Sequence, residues 1–154
     1  RNIKARFLLV GDVDPQNPSS FKKQTLIDWD SEKVVKWLGW VNDVESILKQ
    51  TDIICLPSYR EGLPKALLEG AAYGLPIVTT DTVGCRDVVI DGVNGYLVPV
   101  KNVDKLVEKI DKLVKSKLLR QKMGKESLKI ASSKFSETII NSQTMEIYKE
   151  LSTN

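Results

Sequence analysis

The chain has 154 residues, of which 42% are hydrophobic and 28% charged, which is enough for one ordinary domain with a buried core. Its net charge of +3 is too small, and too evenly spread along the chain, to argue for a nucleic-acid partner. Because it has no histidine and only two cysteines, it lacks the usual zinc ligands and the Ser/His or Cys/His pairs of nucleophilic catalysis. We therefore predict neither a metal nor a cofactor.

Short apolar runs alternate with helical patterns along the first hundred residues. Aliphatic and β-branched residues predict strands at residues 7–10, 34–38, 52–56, 77–79 and 96–98. Helices are predicted between them, one capped by Ser20, one from Asn42 or Asp43 to Gln50, one at 64–73 and a short one at 87–90. This alternation predicts an α/β fold with a parallel sheet.

After Pro99 the sequence becomes helical in character. Val103, Leu106 and Ile110 recur at helical spacing among lysines and aspartates, which predicts an amphipathic helix. Two more helices are predicted, at residues 117–132 and 136–151. A buried-type strand begins only a few residues after the first residue, so we interpret residues 1–154 as a single domain cut from a longer protein.

The most informative segment is 57–70, which joins a predicted buried strand to a helix, because ligands of open α/β sheets bind at the carboxyl ends of strands. Pro64 suits the first helical position, which leaves the amides of Lys65 and Ala66 as free donors at the positive end of the helix dipole. Gly62 lets a ligand approach the backbone, and Glu61 stands just before the helix. The segment is predicted to bind an anion.

Glu69 lies in a run of small and apolar residues, which predicts a half-buried carboxylate that needs a partner. A carboxylate accepts hydrogen bonds from two neighbouring sugar hydroxyls at once. The plain alternative is that Glu61 interacts only with the helix dipole and that Glu69 is a solvated surface residue. Lys65 is likewise open to interpretation as a surface cation.

Glu61 and Glu69, with seven residues between them inside segment 57–70, resemble the signature of retaining GT-B glycosyltransferases of family 4. The resemblance continues through residues 74–80 and 91–98 and covers most of residues 7–150. It implies a Rossmann-like, nucleotide-sugar-binding C-terminal domain that lacks its first strand-helix unit. A donor, usually a UDP- or GDP-sugar, would lie between this domain and a missing N-terminal acceptor domain.

The resemblance also assigns roles to individual residues. It implies that Glu69 holds the ribose hydroxyls and that Glu61, the catalytic candidate, contacts the donor hexose. The amides of Lys65 and Ala66 and the Gly62-Leu63 turn would meet the diphosphate and the sugar. The turn Gly39-Trp40-Val41 would approach the base, although Trp40 is equally well explained by packing on a helix.

The segment 82–87 is predicted to form another strand-to-helix junction, in which Gly84 allows a tight turn whose amides face the cleft. Arg86 and Asp87 are predicted to start the helix and to form a local ion pair. This block resembles a bacterial subgroup that acts on polyprenyl-diphosphate-linked sugars, which implies transfer of a hexosyl or N-acetylhexosaminyl group during polysaccharide or glycan biosynthesis.

The remaining expectations concern partners and location. The resemblance implies that the cations neutralising the leaving diphosphate precede Arg1, so we expect the fragment alone to be inactive. It also implies that a missing first strand lies between the strands at residues 7–10 and 52–56. These two strands would then pair directly, or another copy would fill the gap and form an oligomer by strand exchange. We expect a cytoplasmic chain whose parent associates with the inner membrane face. Two alternatives stay open: a non-catalytic nucleotide-binding or interaction module, and a GT-B-like epimerase.

Overall fold

The structure, a computed structural model, describes residues 4–16 and 20–152. It divides into two compact units, Arg1–Ile47 and Leu48–Asn154. All strand pairs are parallel and are flanked by helices, so the predicted α/β class is confirmed. In the described ranges the five strands pair as β1-β2 and as β3-β4-β5, so the first and third strands do not pair directly as one of the two predicted alternatives had it.

The first unit contains strand β1 (Leu8–Val10), helix α1 (Lys23–Ser31) and strand β2 (Lys36–Gly39). β1 pairs with β2, and the amide of Gly11 donates to the Gly39 carbonyl at 2.8 Å just beyond the strands. Ser20 does not cap α1 as predicted, because the helix begins at Lys23 and the Ser20 hydroxyl instead accepts from the Asp14 amide at 3.0 Å.

Helix α2 (Val44–Leu48) is shorter than the predicted helix that ran to Gln50. Of the two starts that the sequence left open, the structure has Asp43, whose carboxylate accepts from the Ser46 amide at 3.0 Å. This is the hydrogen bond of an N-cap aspartate.

The second unit is built on a three-stranded sheet in the order β3 (Ile54–Leu56), β4 (Ile77–Thr80), β5 (Gly95–Val98). All four residues of the central strand β4 are buried. Successive β4 side chains enter two different core clusters, because Ile77 packs with Leu67 while Val78 packs with Leu113. Both faces of the central strand are therefore covered, whereas the edge strand β3 is half-buried and its Cys55 is exposed.

The helices of the second unit are α3 (Lys65–Ala72), α4 (Val83–Val88), α5 (Val103–Lys115), α6 (Lys117–Lys134) and α7 (Glu137–Ser152). Four of them agree with the sequence to within about two residues. Helix α4 does not: it was predicted to begin at Asp87 and begins four residues earlier, at Val83. Within the described ranges, no helix is both long and apolar enough to span a membrane.

Two of the sequence blocks that carry the family resemblance, 74–80 and 91–98, have clear structural roles. Asn94 is fully buried before β5, where its side chain accepts from the Ile90 amide at 2.8 Å and donates to the Val88 carbonyl at 3.0 Å. Gly74 has a φ of +68° in the turn after α3, and this turn meets α6 at Gly124. A Cβ on Gly124 would overlap the Gly74 carbonyl oxygen, so the contact requires glycine on α6.

Candidate functional site

The loop 57–64 leaves the carboxyl end of β3 and leads into α3. Two threonines at the end of β4 hold its first residues in place. The hydroxyl of Thr79 donates to the Leu56 carbonyl at 2.7 Å, and the hydroxyl of Thr80 donates to the Ser58 carbonyl. The loop is thus anchored to the central strand at the edge of the sheet where α/β proteins bind ligands.

Helix α4 supports the same loop from another side. Gly84 is buried in the first turn of α4, and a Cβ there would overlap the Gly62 carbonyl oxygen and lie 2.8 Å from that of Glu61. The prediction of a tight turn at Gly84 is therefore wrong: the residue is helical, and glycine is needed because helix and loop backbones nearly touch. The role of Gly84 in donor binding remains a prediction.

The start of α3 presents free backbone donors. Pro64 is the N-cap, with an extended ψ of 107°, rather than the first helical residue as predicted, and its carbonyl accepts from the amides of Leu67 and Leu68 at 3.0 and 3.2 Å. Among the described residues, no group accepts a hydrogen bond from the amide of Lys65 or Ala66, and both residues are exposed. Two donors at the positive end of the helix dipole are thus open to a ligand.

The two predicted carboxylates flank these amides along the chain. Glu61 is half-buried in the loop before Pro64, and Glu69 lies on the second turn of α3 with 35% of its side chain exposed. The half-burial predicted for Glu69 is confirmed. Its partner is Lys65, whose Nζ lies 3.5 Å from Glu69 Oε1 but whose side chain is 87% exposed, so the pair contributes little to stability.

The second unit thus brings Glu61, the Gly62-Leu63 turn, the Lys65 and Ala66 amides and Glu69 to the start of one helix, with Gly84 against the loop. The predicted base-binding turn lies in the first unit. Gly39 ends β2 with a φ of +62°, Val41 is half-buried, and Trp40 is 77% exposed, with its indole N–H donating to Asn42 Oδ1 at 3.0 Å. The alternative of a Trp40 packed on a helix does not fit that exposure.

Sequence reasoning missed the residues that fix the loop. Thr79 was predicted only as the last residue of a strand and Thr80 only as part of the block 74–80, although paired threonines at a strand end offer hydroxyls to a neighbouring loop. Lys101 was not considered either, and its ammonium lies 5.7 Å from the centre of the Tyr59 ring, a cation–π distance.

The predicted local pair between Arg86 and Asp87 is wrong. Arg86 Nε instead donates to Asp81 Oδ1 at 2.5 Å, across the turn that joins β4 to α4. This hydrogen bond lowers the pKa of the Asp81 carboxyl below its usual value. The ion pair therefore braces the start of α4, against which the loop rests.

Comparison with known proteins decides the family. The sequence model of the family described as glycosyl transferases group 1 matches residues 1–130. The chain belongs to this family. The resemblance drawn from segments 57–70, 74–80 and 91–98 is thereby confirmed.

Two curated relatives illustrate the glycosyl transferases group 1 membership. The chain is 34% identical over 151 residues to a Campylobacter jejuni protein named N,N'-diacetylbacillosaminyl-diphospho-undecaprenol alpha-1,3-N-acetylgalactosaminyltransferase, covering 98% of this chain and 39% of the relative. It is 33% identical over 113 residues to an Escherichia coli UDP-Gal:alpha-D-GlcNAc-diphosphoundecaprenol alpha-1,3-galactosyltransferase, covering 73% and 29%. The chain thus spans about two fifths or less of these relatives.

Solved glycosyltransferase structures share the fold. The structure of Anabaena HepE in complex with UDP superposes with a TM-score of 0.84 at 23% identity, over 94% of this chain and 41% of HepE. The C-terminal domain of a glycosyl transferase group 1 family protein from Francisella tularensis superposes with a TM-score of 0.63 at 22% identity, over 75% of this chain and 63% of that domain. The Rossmann-like GT-B architecture predicted from the resemblance is the one observed.

Proposed function

We propose that this chain is the donor-binding half of a retaining glycosyltransferase that transfers a hexosyl or N-acetylhexosaminyl group from a nucleotide-sugar. The observation that carries the proposal is the start of α3. There, the amides of Lys65 and Ala66, for which the described residues supply no acceptor, lie between Glu61 and Glu69 in the sequence of a glycosyl transferases group 1 chain.

The diphosphate of the donor is assigned to the amides of Lys65 and Ala66. These groups are fixed by the helix and need no reorganisation when negative charge grows on the departing nucleotide. The Gly62-Leu63 turn, whose glycine backbone leaves open space where a side chain would stand, lets the diphosphate and the sugar come close to the chain.

The hydroxyl groups of the donor are assigned to the two carboxylates. Glu69 lies on the second turn of α3, about 6 Å further along the helix axis than Lys65 at 1.5 Å per residue, which suits a ribose next to a diphosphate bound at the helix start. Glu61, on the loop, contacts the hexose and is the catalytic candidate. In this arrangement Lys65 is freed from Glu69 and turns toward the phosphates, because a ribose hydroxyl replaces it at the carboxylate.

The names of the relatives support a UDP-sugar and a lipid-linked acceptor. The E. coli protein is named for UDP-Gal, both relatives are named for diphospho-undecaprenol-linked sugars, and HepE was solved with UDP. We infer that the donor here is a UDP-sugar rather than a GDP-sugar, with Gly39, Trp40 and Val41 near the base. We further infer that the acceptor is a polyprenyl-diphosphate-linked sugar used in bacterial glycan assembly, bound by an N-terminal domain.

Isothermal titration calorimetry with UDP-sugars and GDP-sugars tests the donor assignment. We expect the chain to bind UDP-sugars and the Glu69→Gln variant to bind them at least tenfold more weakly, because the neutral amide loses charge-assisted hydrogen bonds to two hydroxyls. The matched control is Glu146→Gln, which changes an exposed glutamate on α7 and should leave affinity unchanged.

Three outcomes would count against the proposal. Nucleotide binding that is equal in the wild type and in Glu69→Gln would place the donor elsewhere. No binding to any nucleotide-sugar at millimolar ligand, by a chain that circular dichroism shows to be folded, would favour an interaction module. Conversion of one UDP-hexose to its epimer would instead favour the epimerase alternative.

A further inference from the structure

Helix α6 concentrates the positive charge of the chain. Its 18 residues, Lys117–Lys134, include six basic residues and one acidic residue, a net charge of +5 in a chain whose total is +3. The remaining residues therefore carry a net charge of −2. The even spread of charge inferred from the sequence does not hold for this helix.

The charges of α6 fall mainly on one side. At 3.6 residues per turn, eight exposed residues share one face, which we call the α6 face: Lys117, Leu118, Gln121, Lys122, Lys125, Leu128, Lys129 and Ser132. The opposite side is buried and includes Met123, Ser127 and Ile130. Arg120 points elsewhere, since its guanidinium lies 3.4 Å from Asp52 and donates to the Leu113 carbonyl at 2.9 Å.

The lysines of the α6 face are largely free to meet an external anion. Lys129 lies 2.7 Å from Glu126, and over the described part of the chain no ion pair involves Lys117, Lys122 or Lys125. Three ammonium groups without a carboxylate partner on one helical face give that face a positive potential, which attracts anions.

Two leucines are exposed among these lysines. Leu118 is 77% exposed and Leu128 is 49% exposed. Beside Leu128 is a shallow hollow, also lined by Gly74, Gln121, Gly124 and Lys125, so the face offers an apolar recess next to a cation. On a bilayer surface, the exposed leucines of this face would enter the acyl boundary while its ammonium groups meet headgroup phosphates.

We propose that the α6 face binds the surface of a bilayer that contains anionic phospholipid. Charge complementarity favours a polyanionic partner, and the leucines favour a bilayer over nucleic acid, which has no apolar layer to receive them. The face also lacks the arginines and aromatic side chains that recognise nucleic-acid bases and phosphates. The proposal does not depend on donor binding, since the α6 face includes none of the residues assigned to the donor.

Vesicle co-sedimentation tests this proposal. The wild-type chain should bind vesicles of phosphatidylglycerol and phosphatidylcholine in equal parts, but not vesicles of phosphatidylcholine alone. Each lysine near an anionic surface is worth about fivefold in partitioning, so the Lys117→Gln, Lys122→Gln, Lys125→Gln triple variant should bind on the order of 100-fold more weakly. Leu118→Gln, which keeps every charge, should weaken binding severalfold because the inserted side chain is lost.

The matched control is Lys4→Gln, Lys22→Gln, Lys23→Gln, which removes the same charge from exposed residues of the first unit and should lower vesicle binding far less. Equal loss in both triple variants would overturn the proposal, because net charge alone would then explain binding. So would a failure of the wild type to bind the anionic vesicles. Binding to an RNA oligonucleotide that is as tight as vesicle binding and insensitive to Leu118→Gln would assign the face to nucleic acid instead. The calorimetric affinity for UDP-sugar should be unchanged in the α6 triple variant.

Discussion

Two helical glycines show how single residues position the candidate site. Gly84 and Gly124 both lie inside helices, where glycine is unfavourable, and both stand against a backbone carbonyl that a Cβ would strike. Gly124 meets the turn after α3, whereas Gly84 meets the loop that carries Glu61 and Gly62. The first contact supports the fold, and the second also sets the position of the loop.

This difference predicts separable effects of two alanine substitutions. Gly84→Ala and Gly124→Ala should each lower the free energy of unfolding by about 1–3 kcal/mol, because neither neighbouring backbone moves easily out of the way. Only Gly84→Ala should also weaken UDP-sugar binding, since it displaces the Glu61–Gly62 backbone. Thermal denaturation and calorimetry measure the two effects, and equal donor affinity in both folded variants would contradict the role given to Gly84.

The half-burial of Glu69 was predicted correctly from sequence because the prediction used the residues next to it in the chain. The flanking alanines and leucines indicated half-burial, and the side chain is 35% exposed. Its pairing with Lys65 was not predicted, since i,i+4 pairs on exposed helix positions are weak and sequence alone does not choose between solvent and partner. Trp40 shows the same limit of sequence-based prediction. Its exposure depends on the surrounding chain and does not follow from its being a tryptophan.

At the scale of elements, strands were predicted more reliably than the starts of helices. The run of β4 is a buried strand, because helices cover both of its faces, whereas β3 at the edge of the sheet is half-buried and its Cys55 is exposed. The start of α4 was misplaced because Gly84 was interpreted as a turn signal. The real reason for the glycine, close approach to a loop more than twenty residues earlier, is a tertiary contact that no local pattern carries.

The turn that leads into α4 gives a pH-dependent prediction. The hydrogen bond from Arg86 lowers the pKa of Asp81 in the folded state, so ionised Asp81 stabilises the fold above the unfolded pKa of about 3.9. That stabilisation is lost as the pH falls through the folded-state pKa. Asp81→Asn should therefore lower stability at neutral pH by no more than about 1 kcal/mol, as for a partly exposed pair, and the difference should shrink as the pH falls below the unfolded pKa.

Asp87→Asn is the matched control for this prediction. Asp87 is an exposed aspartate on α4, next to Arg86, and the sequence analysis had paired it with Arg86. Melting temperatures of both variants and the wild type across the acid range measure the effect. A destabilisation of Asp81→Asn that is independent of pH, or equal to that of Asp87→Asn, would show that the ion pair does not brace the turn.

At the scale of the whole molecule, this chain of the glycosyl transferases group 1 family divides into two compact units. The second unit holds the helix start and both carboxylates, and the first holds the turn assigned to the base. The division into two sheets was not predicted, since alternating strands and helices specify parallel pairing but not how many sheets the strands form. Family membership, in contrast, was evident from three short blocks in the correct order.

The most direct measurement is a titration of the ¹⁵N-labelled chain with UDP, followed by amide chemical shifts. If the diphosphate binds at the start of α3, the amide signals of Lys65 and Ala66 should shift most among those of the second unit. Their shifts should reach a plateau as the UDP concentration rises. If UDP shifts signals elsewhere while these two amides stay unmoved at saturation, the helix start is not the phosphate site and the proposed donor geometry is wrong.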